Sequence, residues 1–567
     1  MVIMTVVVMA GCTADEYLND ITPKTADGAQ PKEPLSDDVS KALVAAGFGD
    51  VRIEDLKIPT GEDEEVTRRY YFFTIEQPVS HHNKSLGTYK QHACLQPQKD
   101  LTAPVLLYTH GYNMGDSAKH VGMDHIAAYL KASELHVEHR YFGRSLPEAY
   151  ESLAFTYFNA DEAAHDLDSV LVRLQRTVLK DSKKWVSTGV SKDGMTTALL
   201  AYYADQYGWS KAGRSDHFRM DLYIPFCAPF LKGTPESCDD PEIGKYLYNE
   251  SGKGYGAGSD EEKAYQRLRK IPVAMVTDQV LREACLRQFH QFNASGYLEL
   301  IDKFRDKDVK AKEERVSCAM VSTYFNHLFG KFSYLPFKEW AHIVPDVETA
   351  TMDATTDKQK AAKALAINHV AEFVYMNEKA LSDSLNRESL HNALLSSKST
   401  MQQPATLSDS EIIDFLYRDS DNPYYIQAVK ELGNIRFDFS MLDDVKFSPE
   451  STEDLGYLAP TISRMFETST TLKKYASQWD GGRLMTNVRN WAQNSCTSKV
   501  LFVYAKNDPW TGGSPWWNNG TMGSPTLENV RQLVLQNTVH NNFIYIERYF
   551  SPTEKLMLTS AIDVLLK

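Results

Sequence analysis

Residues 188–196 read Thr-Gly-Val-Ser-Lys-Asp-Gly-Met-Thr, TGVSKDGMT, with Ser191 near the centre. The run before it, Lys184–Thr188, KWVST, reads as a short buried strand, and Met195–Tyr207 after it reads as a helix. A serine between a strand and a helix stands on a tight turn. That turn lifts Oγ above the edge of a sheet and aims the positive end of the helix dipole at a reacting carbonyl. Glycine suits position 189 because backbone and side chains crowd such a turn. The alternative is a serine that only caps the helix with its side chain.

Outward from this turn, short apolar or aromatic runs alternate with helical stretches. The expected strands are residues 65–80 with RRYYFFTIEQP, Ala103–Tyr108, Leu135–His139, Met220–Phe226 and Lys499–Tyr504, with a sixth at Asn542–Glu547. The expected helices between them are Asp124–Ser133, Asp161–Lys180 and Met195–Tyr207. Strands that alternate with helices imply a mostly parallel sheet covered on both faces. After about Phe230 the alternation stops, and the chain is mainly helical to about Ser495. Asp357–Arg387 is the clearest helix there, with Ala361, Ala364, Leu365, Ile367, Val370, Phe373 and Val374 recurring on one face. The expected organisation is a catalytic domain in two pieces, 40–230 and 496–567, with a helical cap, 231–495, inserted between them.

A nucleophilic serine needs a base, and the base needs an acid to orient it. In the α/β-hydrolase order these follow the serine as acid and then histidine. Of the 16 histidines, only His540 lies beyond His391, in the polar loop QNTVHNNF. Asp508 follows the strand in KVLFVYAKNDPWTGG, where Pro509 ends the strand and Gly512 and Gly513 open a loop. Ser191, Asp508 and His540 are therefore the candidate triad, on an α/β-hydrolase fold with a large inserted helical cap. The oxyanion hole needs two backbone N–H donors. Lys192, next to the nucleophile, is one candidate. Tyr112, beyond Gly111 in APVLLYTHGYNMGD, is the other, although Gly111 can also be read as a plain strand-ending glycine.

The 567 residues are 43% hydrophobic and 24% charged, which excludes a disordered or collagen-like chain. The formal charge of −14 offers no basic excess for phosphates, so nucleic acid is not an expected partner. No apolar stretch reaches 18 residues, so no transmembrane helix is expected. Val2–Ala10 is a short apolar run ending in Met9-Ala10-Gly11-Cys12, the pattern of a lipoprotein signal, although no Lys or Arg precedes it. The expectation is a signal over 1–12, a lipid anchor on Cys12, a polar tether over 13–39, and export to the periplasm or surface of a bacterium. Cys94, Cys227, Cys238, Cys285, Cys318 and Cys496 remain. Their even number in an oxidising space fits disulfides, with buried thiols as the alternative. None has CxxC spacing, so no zinc site is expected from the cysteines.

TGVSKDGMT, EHRYFGRSLP at Glu138–Pro147 and DEAAHDLDSVL at Asp161–Leu171 together resemble the prolyl tri/tetrapeptidyl aminopeptidases. These are secreted bacterial serine exopeptidases, distantly related to lysosomal Pro-X carboxypeptidase and dipeptidyl peptidase II. HGYN at 110–113, CAPF at 227–230 and NDPW at 507–510 extend the likeness over about 65–230 and 495–550. The resemblance implies an α/β-hydrolase with a helical cap that releases short peptides from free N-termini, often after proline. By position it makes Ser191 the nucleophile, Asp508 the acid and His540 the base. Two departures stand out. The family's G-x-S-K-G-G is here G-V-S-K-D-G, with Asp193 set to weaken oxyanion stabilisation, to raise the pKa of His540, or to pair with Lys192. The context VHNNF is a loose match.

An aminopeptidase must also bind an ammonium group. Glu138 is the first candidate, and its alternative is a loop-holding pair with Arg140 or Arg144. Trp510, Trp516 and Trp517 are candidates to stack a proline ring, or are ordinary packing. The substrates expected are oligopeptides, with no metal or organic cofactor. An esterase on the same fold and an inactive peptide-binding lipoprotein are the alternatives.

Overall fold

The computed structural model describes residues 37–59, 65–119, 121, 125–147, 155–209, 216–251, 253, 255, 258–291, 341–375, 423–435, 477–518, 520–543 and 546–567. Helix α1 (Asp38–Ala45) opens the described chain in a capping box, with Asp37 accepting from the Ser40 amide. The last residues of the segment expected to be a tether, 37–39, thus lie in this helix and its cap, and the rest of that segment lies outside the described residues. Cys12 and the apolar run before it lie outside the described residues.

Nine strands form the central sheet: β1 (Gly49–Pro59), β2 (Glu65–Pro78), β3 (Thr88–Gln96), β4 (Val105–Thr109), β5 (Ser133–Val137), β6 (Trp185–Val190), β7 (Leu222–Phe226), β8 (Val500–Ala505) and β9 (Val530–Leu535). Their order is β1-β2-β3-β5-β4-β6-β7-β8-β9. β1, β2, β3 and β5 pair antiparallel, and every pair from β5 to β9 is parallel. β8 rejoins the sheet beside β7 from beyond residue 495, so a distant part of the chain completes the sheet. This is the α/β-hydrolase arrangement.

The parallel strands read as continuous apolar runs because both faces are covered. Val105 and Leu107 enter the core on one face and Leu106 that on the other. Likewise Val500, Phe502 and Tyr504 face one way, and Leu501, Val503 and Ala505 the other. Helix α2 (His125–Leu130) and the C-terminal helix Pro552–Leu566 cover one face through Ile126, Leu558, Ile562 and Leu565. Helices α3 (Ala160–Arg176) and α4 (Lys192–Gln206) cover the other through Leu167, Leu171, Leu174, Ala198 and Leu200.

The described part of 231–495 is mainly helical, with α5 (Glu242–Asn249), α6 (Asp260–Thr277), α7 (Gln279–Gln291), α8 (Asp357–Tyr375) and α9 (Arg483–Asn494), and it also holds a two-residue parallel pairing of Asp239–Asp240 with Asn434–Ile435. In α8, Ile367, Val370, Phe373 and Val374 are buried as expected, but Ala361, Ala364 and Leu365 face solvent. The buried stripe begins at Ala366, so only the second half of the helix packs. The expected strand at Asn542–Glu547 is absent. His540–Phe543 is a 3-10 turn, Ile546–Tyr549 a short helix, and the last strand is Val530–Leu535. Phe543 and Ile546 enter the core with helical, not alternating, spacing.

No disulfide joins any two of the described cysteines; Cys94, Cys227, Cys238, Cys285 and Cys496 are buried. Cys94 packs with Tyr70, Phe72 and Met114, and Cys227 with Phe226 and Phe543, so they serve as small apolar core residues. Cys318 lies outside the described residues.

Candidate active site

Ser191 leaves β6 with φ 62° and ψ −122°, a backbone that an L-residue holds only where its surroundings enforce it. Its amide donates to the Phe226 carbonyl at 2.8 Å, and its carbonyl accepts from Met195 at 2.9 Å. The residue stands at the N-cap of α4 but makes no side-chain cap to the helix. That removes the plain capping role. The flanking glycines are dictated by crowding. A Cβ on Gly189 would lie 2.5 Å from the Asp193 carbonyl carbon, and one on Gly194 2.5 Å from the Phe226 oxygen.

Asp508 and His540 come from the ends of β8 and β9, beside β7 and β6 at the same edge of the sheet. Asp508 Oδ2 lies 2.6 Å from His540 Nδ1, and Oδ1 accepts from the Trp510 amide at 3.0 Å. Ser191, Asp508 and His540 are 6%, 0% and 1% exposed, so the pair is shielded from water. A carboxylate on Nδ1 leaves Nε2 as the atom that exchanges protons with a nucleophile. Cys227 is also here: its Sγ, a carboxylate oxygen of Asp508 and a ring nitrogen of His540 lie within 4.8 Å of one another. The sequence reading gave Cys227 no place at the triad; its position directly after β7 is the signal that was available.

The acid loop is held from several sides. Asn507 Nδ2 donates to the Gln536 carbonyl at 3.0 Å, tying the loop to the segment that carries His540. Arg489 of α9 donates to four carbonyls, those of Phe230, Gly513, Pro515 and Trp517, at 2.9, 3.3, 3.1 and 3.0 Å. Neither residue was singled out from sequence, because each acts through main-chain carbonyls that carry no sequence signal. Trp510 packs beside the base, its ring centroid 6.2 Å from that of His540. Trp516 packs on Phe502, and Trp517 on Tyr246 with Nε1 donating to Glu242, so these two are core residues.

Asp193 turns its carboxylate to the loop after β4. Its Oδ1 accepts from the Gly111 amide at 2.5 Å, and the Tyr108 side chain is a further hydrogen-bond partner. Burial pushes its carboxyl up, against the Gly111 amide, the Lys192 charge and Tyr108. Burial likewise pushes the Lys192 ammonium down, against Asp193 and Glu431. The Lys192 Nζ sits 5.7 Å from the Tyr112 ring centre and 5.4 Å from that of Phe142. Asp193 thus clamps the Gly111 loop onto the turn. Gly111 is required there, since a Cβ would lie 2.9 Å from the Lys192 carbonyl carbon. With the Gly111 amide engaged, the next amide along, that of Tyr112, stays the candidate second donor beside Lys192.

Glu138 holds its own loop. Its carboxylate accepts from the Met114 amide at 3.2 Å, the Arg144 amide at 3.0 Å and Ser145 Oγ at 2.7 Å. Burial pushes its carboxyl up, while those donors pull it back. Gly143, at φ 50°, fits because a Cβ would collide with Glu138 Oε1. The loop-holding reading is therefore the one the geometry carries, but the partners are amides and a serine, with no guanidinium bond. Arg140 instead makes a bidentate pair with Asp166 of α3, at 2.7 and 2.8 Å, both side chains fully buried. This pair joins the EHRYFGRSLP and DEAAHDLDSVL segments.

Residues 50–214 match the family model described as PS-10 peptidase S37. The prolyl tri/tetrapeptidyl aminopeptidase of Streptomyces mobaraensis is 29% identical over 163 residues, which is 28% of this chain and 32% of that relative. The match thus spans about a third of the relative's length. Among solved structures, the proline iminopeptidase of Mycobacterium smegmatis aligns over 90% of this chain and 100% of its own, at 10% identity and a TM-score of 0.26. The rice cell wall degrading esterase LipA of Xanthomonas oryzae aligns over 91% and 95%, at 10% identity and a TM-score of 0.29. Over the segment that carries the nucleophile turn and the Glu138–Pro147 loop, this chain is similar in sequence to the peptidase S37 family and resembles the prolyl tri/tetrapeptidyl aminopeptidases.

Proposed function

We propose that this chain is a serine peptidase that releases short peptides from the free N-termini of oligopeptides. The observation that carries the reading is the Asp508–His540 hydrogen bond of 2.6 Å at the sheet edge where Ser191 stands on its strained turn. Ser191 Oγ attacks the peptide carbonyl carbon while His540 Nε2 takes its proton. The resulting oxyanion is held by the amides of Lys192 and Tyr112 and by the positive end of α4. Its collapse breaks the C–N bond, and His540 returns the proton to the leaving amine. Water then attacks the acyl-serine with His540 again as base, giving the released peptide's carboxylate and free Ser191. Asp508 keeps the imidazole oriented and stabilises the imidazolium. No metal or organic cofactor enters these steps.

A second reading, an esterase, is favoured by one observation: Glu138 already receives three donors and needs no substrate ammonium. Two experiments separate the readings. A fluorophosphonate probe labels the wild-type protein and not Ser191→Ala, which establishes the activated serine. Proline-containing peptides with free amino termini are then cut in preference to their acetylated forms. Equal cleavage of both, with faster cleavage of simple esters, rejects the aminopeptidase in favour of the esterase. A folded protein that resists the probe rejects both and leaves a peptide-binding protein. We also propose the lipid anchor at Cys12 and export. Labelled palmitate is incorporated into the wild type and lost in Cys12→Ala; equal incorporation rejects the anchor.

A further inference from the structure

Far along the chain from the triad residues, the loop between β2 and β3 lies against the first turns of α3. Its backbone is fixed there: Ser80 Oγ and the His81 amide both donate to the Glu162 carboxylate, at 2.6 and 2.7 Å. His81 Nε2 meets Asp166 at 2.7 Å. This docking brings His82 to Asp161 and His165, which lie one turn apart on one face of α3. His82 Nε2 is 2.6 Å from Asp161 Oδ2, and His165 Nε2 is 3.9 Å from Oδ1. One donor atom from each of the three residues lies within 4.8 Å of the others.

We propose that His82, Asp161 and His165 bind a divalent cation of the zinc class, with water completing the coordination. Two imidazoles and one carboxylate are the donor set such an ion takes. Ligand atoms around one tetrahedral zinc stand roughly 3.4 Å apart, so the half-exposed His82 ring swings outward from its 2.6 Å contact with Asp161 to admit the ion among the three donors. The other two ligands are already oriented. Tyr207 Oη donates to Asp161 Oδ1 at 2.7 Å, which fixes the carboxylate and directs Oδ2 to the site. The His165 ring is wedged against His81, Tyr207 and Trp209, at centroid distances of 5.2, 5.1 and 5.0 Å. Its Nε2 is buried and makes no hydrogen bond, an arrangement unfavourable for a polar atom unless something binds there. The metal takes His82 as the neutral imidazole with its one proton on Nδ1, so the hydrogen bond that Nε2 now makes with Asp161 gives way to coordination. The ion would staple the β2–β3 loop to α3, whose Asp166 in turn holds Arg140 and the loop beside the candidate active site.

The test is calorimetric titration of the chelator-treated full chain with zinc chloride, together with the absorption spectrum of the cobalt(II) form. The expected result is one zinc per chain at micromolar concentration and a tetrahedral cobalt spectrum. His82→Gln and His165→Gln should each lose the spectrum and at least about a hundredfold in affinity. Tyr207→Phe should lose about tenfold, as for other outer partners of metal ligands. Zinc should raise the melting temperature of the wild type and leave that of His82→Gln unchanged. His82 is half-exposed, and the metal-free melting temperature of its variant shows that the fold is intact. No binding by the wild type, or equal binding by the wild type and both histidine variants, overturns the proposal.

Discussion

Asp193 is where this chain departs most from the nucleophile turn it resembles, and its geometry gives the departure a purpose. The carboxylate grips the Gly111 amide, so it sets the spacing between the two candidate oxyanion donors. Asp193→Gly should therefore lower kcat by about ten- to a hundredfold, since one lost oxyanion donor costs about 10²–10³. KM should change little, and Asp193→Asn should recover part of the loss; steady-state kinetics on a chromogenic substrate decide it. A rise in kcat would show that the carboxylate opposes the oxyanion. The Arg140–Asp166 pair is a second residue-scale device. Burial alone would push the Asp166 carboxyl up, but the Arg140 guanidinium brings it down to about 2. Its folded value lies below the unfolded one of about 3.9, so the folded state binds this proton less readily. The pair's stability is complete above about pH 4 and is lost as pH falls towards 2, on the order of 2 kcal/mol in all. Chemical denaturation should show Asp166→Asn less stable than wild type at pH 7, with a smaller difference at pH 3.

At the scale of elements, what the sequence displayed depended on burial. β4, β6, β7 and β8 are covered on both faces and show as apolar runs, so they and the turn after β6 were legible. β1, β3 and β9 mix Arg52, Lys90, His92, Arg531 and Gln532 into their strands because one face or one edge meets solvent, and none was anticipated. The candidate triad was read from chain order, acid and then histidine after the serine; the structure brings Asp508 and His540 together, while β9, the strand before His540, was not anticipated. Arg489 and Asn507 were not legible, because they act through main-chain carbonyls that any residue supplies; Asp193 was singled out, but its bond to the Gly111 amide was not among the roles read for it. Arg489 is the largest such case. Arg489→Met leaves three carbonyls of the acid loop, and that of Phe230 after β7, without their shared donor and should destabilise the protein by on the order of 3 kcal/mol. The drop should appear in urea unfolding, with slower fluorophosphonate labelling of Ser191; unchanged labelling would show that the loop holds its shape unaided. Gly194→Ala tests the elbow in the same way. Its Cβ would press on the Phe226 and Gly189 carbonyls, so α4 must withdraw from β7, and a loss of both stability and labelling is expected.

For the whole molecule, the open edges of the sheet are β1 and β9. β1 is 11 residues long and carries Arg52, Glu54, Asp55 and Lys57, with Asp55 bonded to Arg69 of β2 at 2.8 Å. Charges along a long edge discourage a second chain from adding a strand. Asp55→Val combined with Lys57→Val should give concentration-dependent association in light scattering while Ser191 labelling persists; a monodisperse variant would mean the edge is protected by its twist alone. Among the described residues no helix is long and apolar enough to cross a membrane. The order of the strands bears finally on how the protein comes into being. Ser191 and the amides beside it precede residues 231–495 in the chain, and Asp508 and His540 follow them. Until β8 and β9 join the sheet beyond β7, the candidate nucleophile stands without its candidate base. A chain whose elbow has folded but whose sheet is unfinished would therefore be chemically silent.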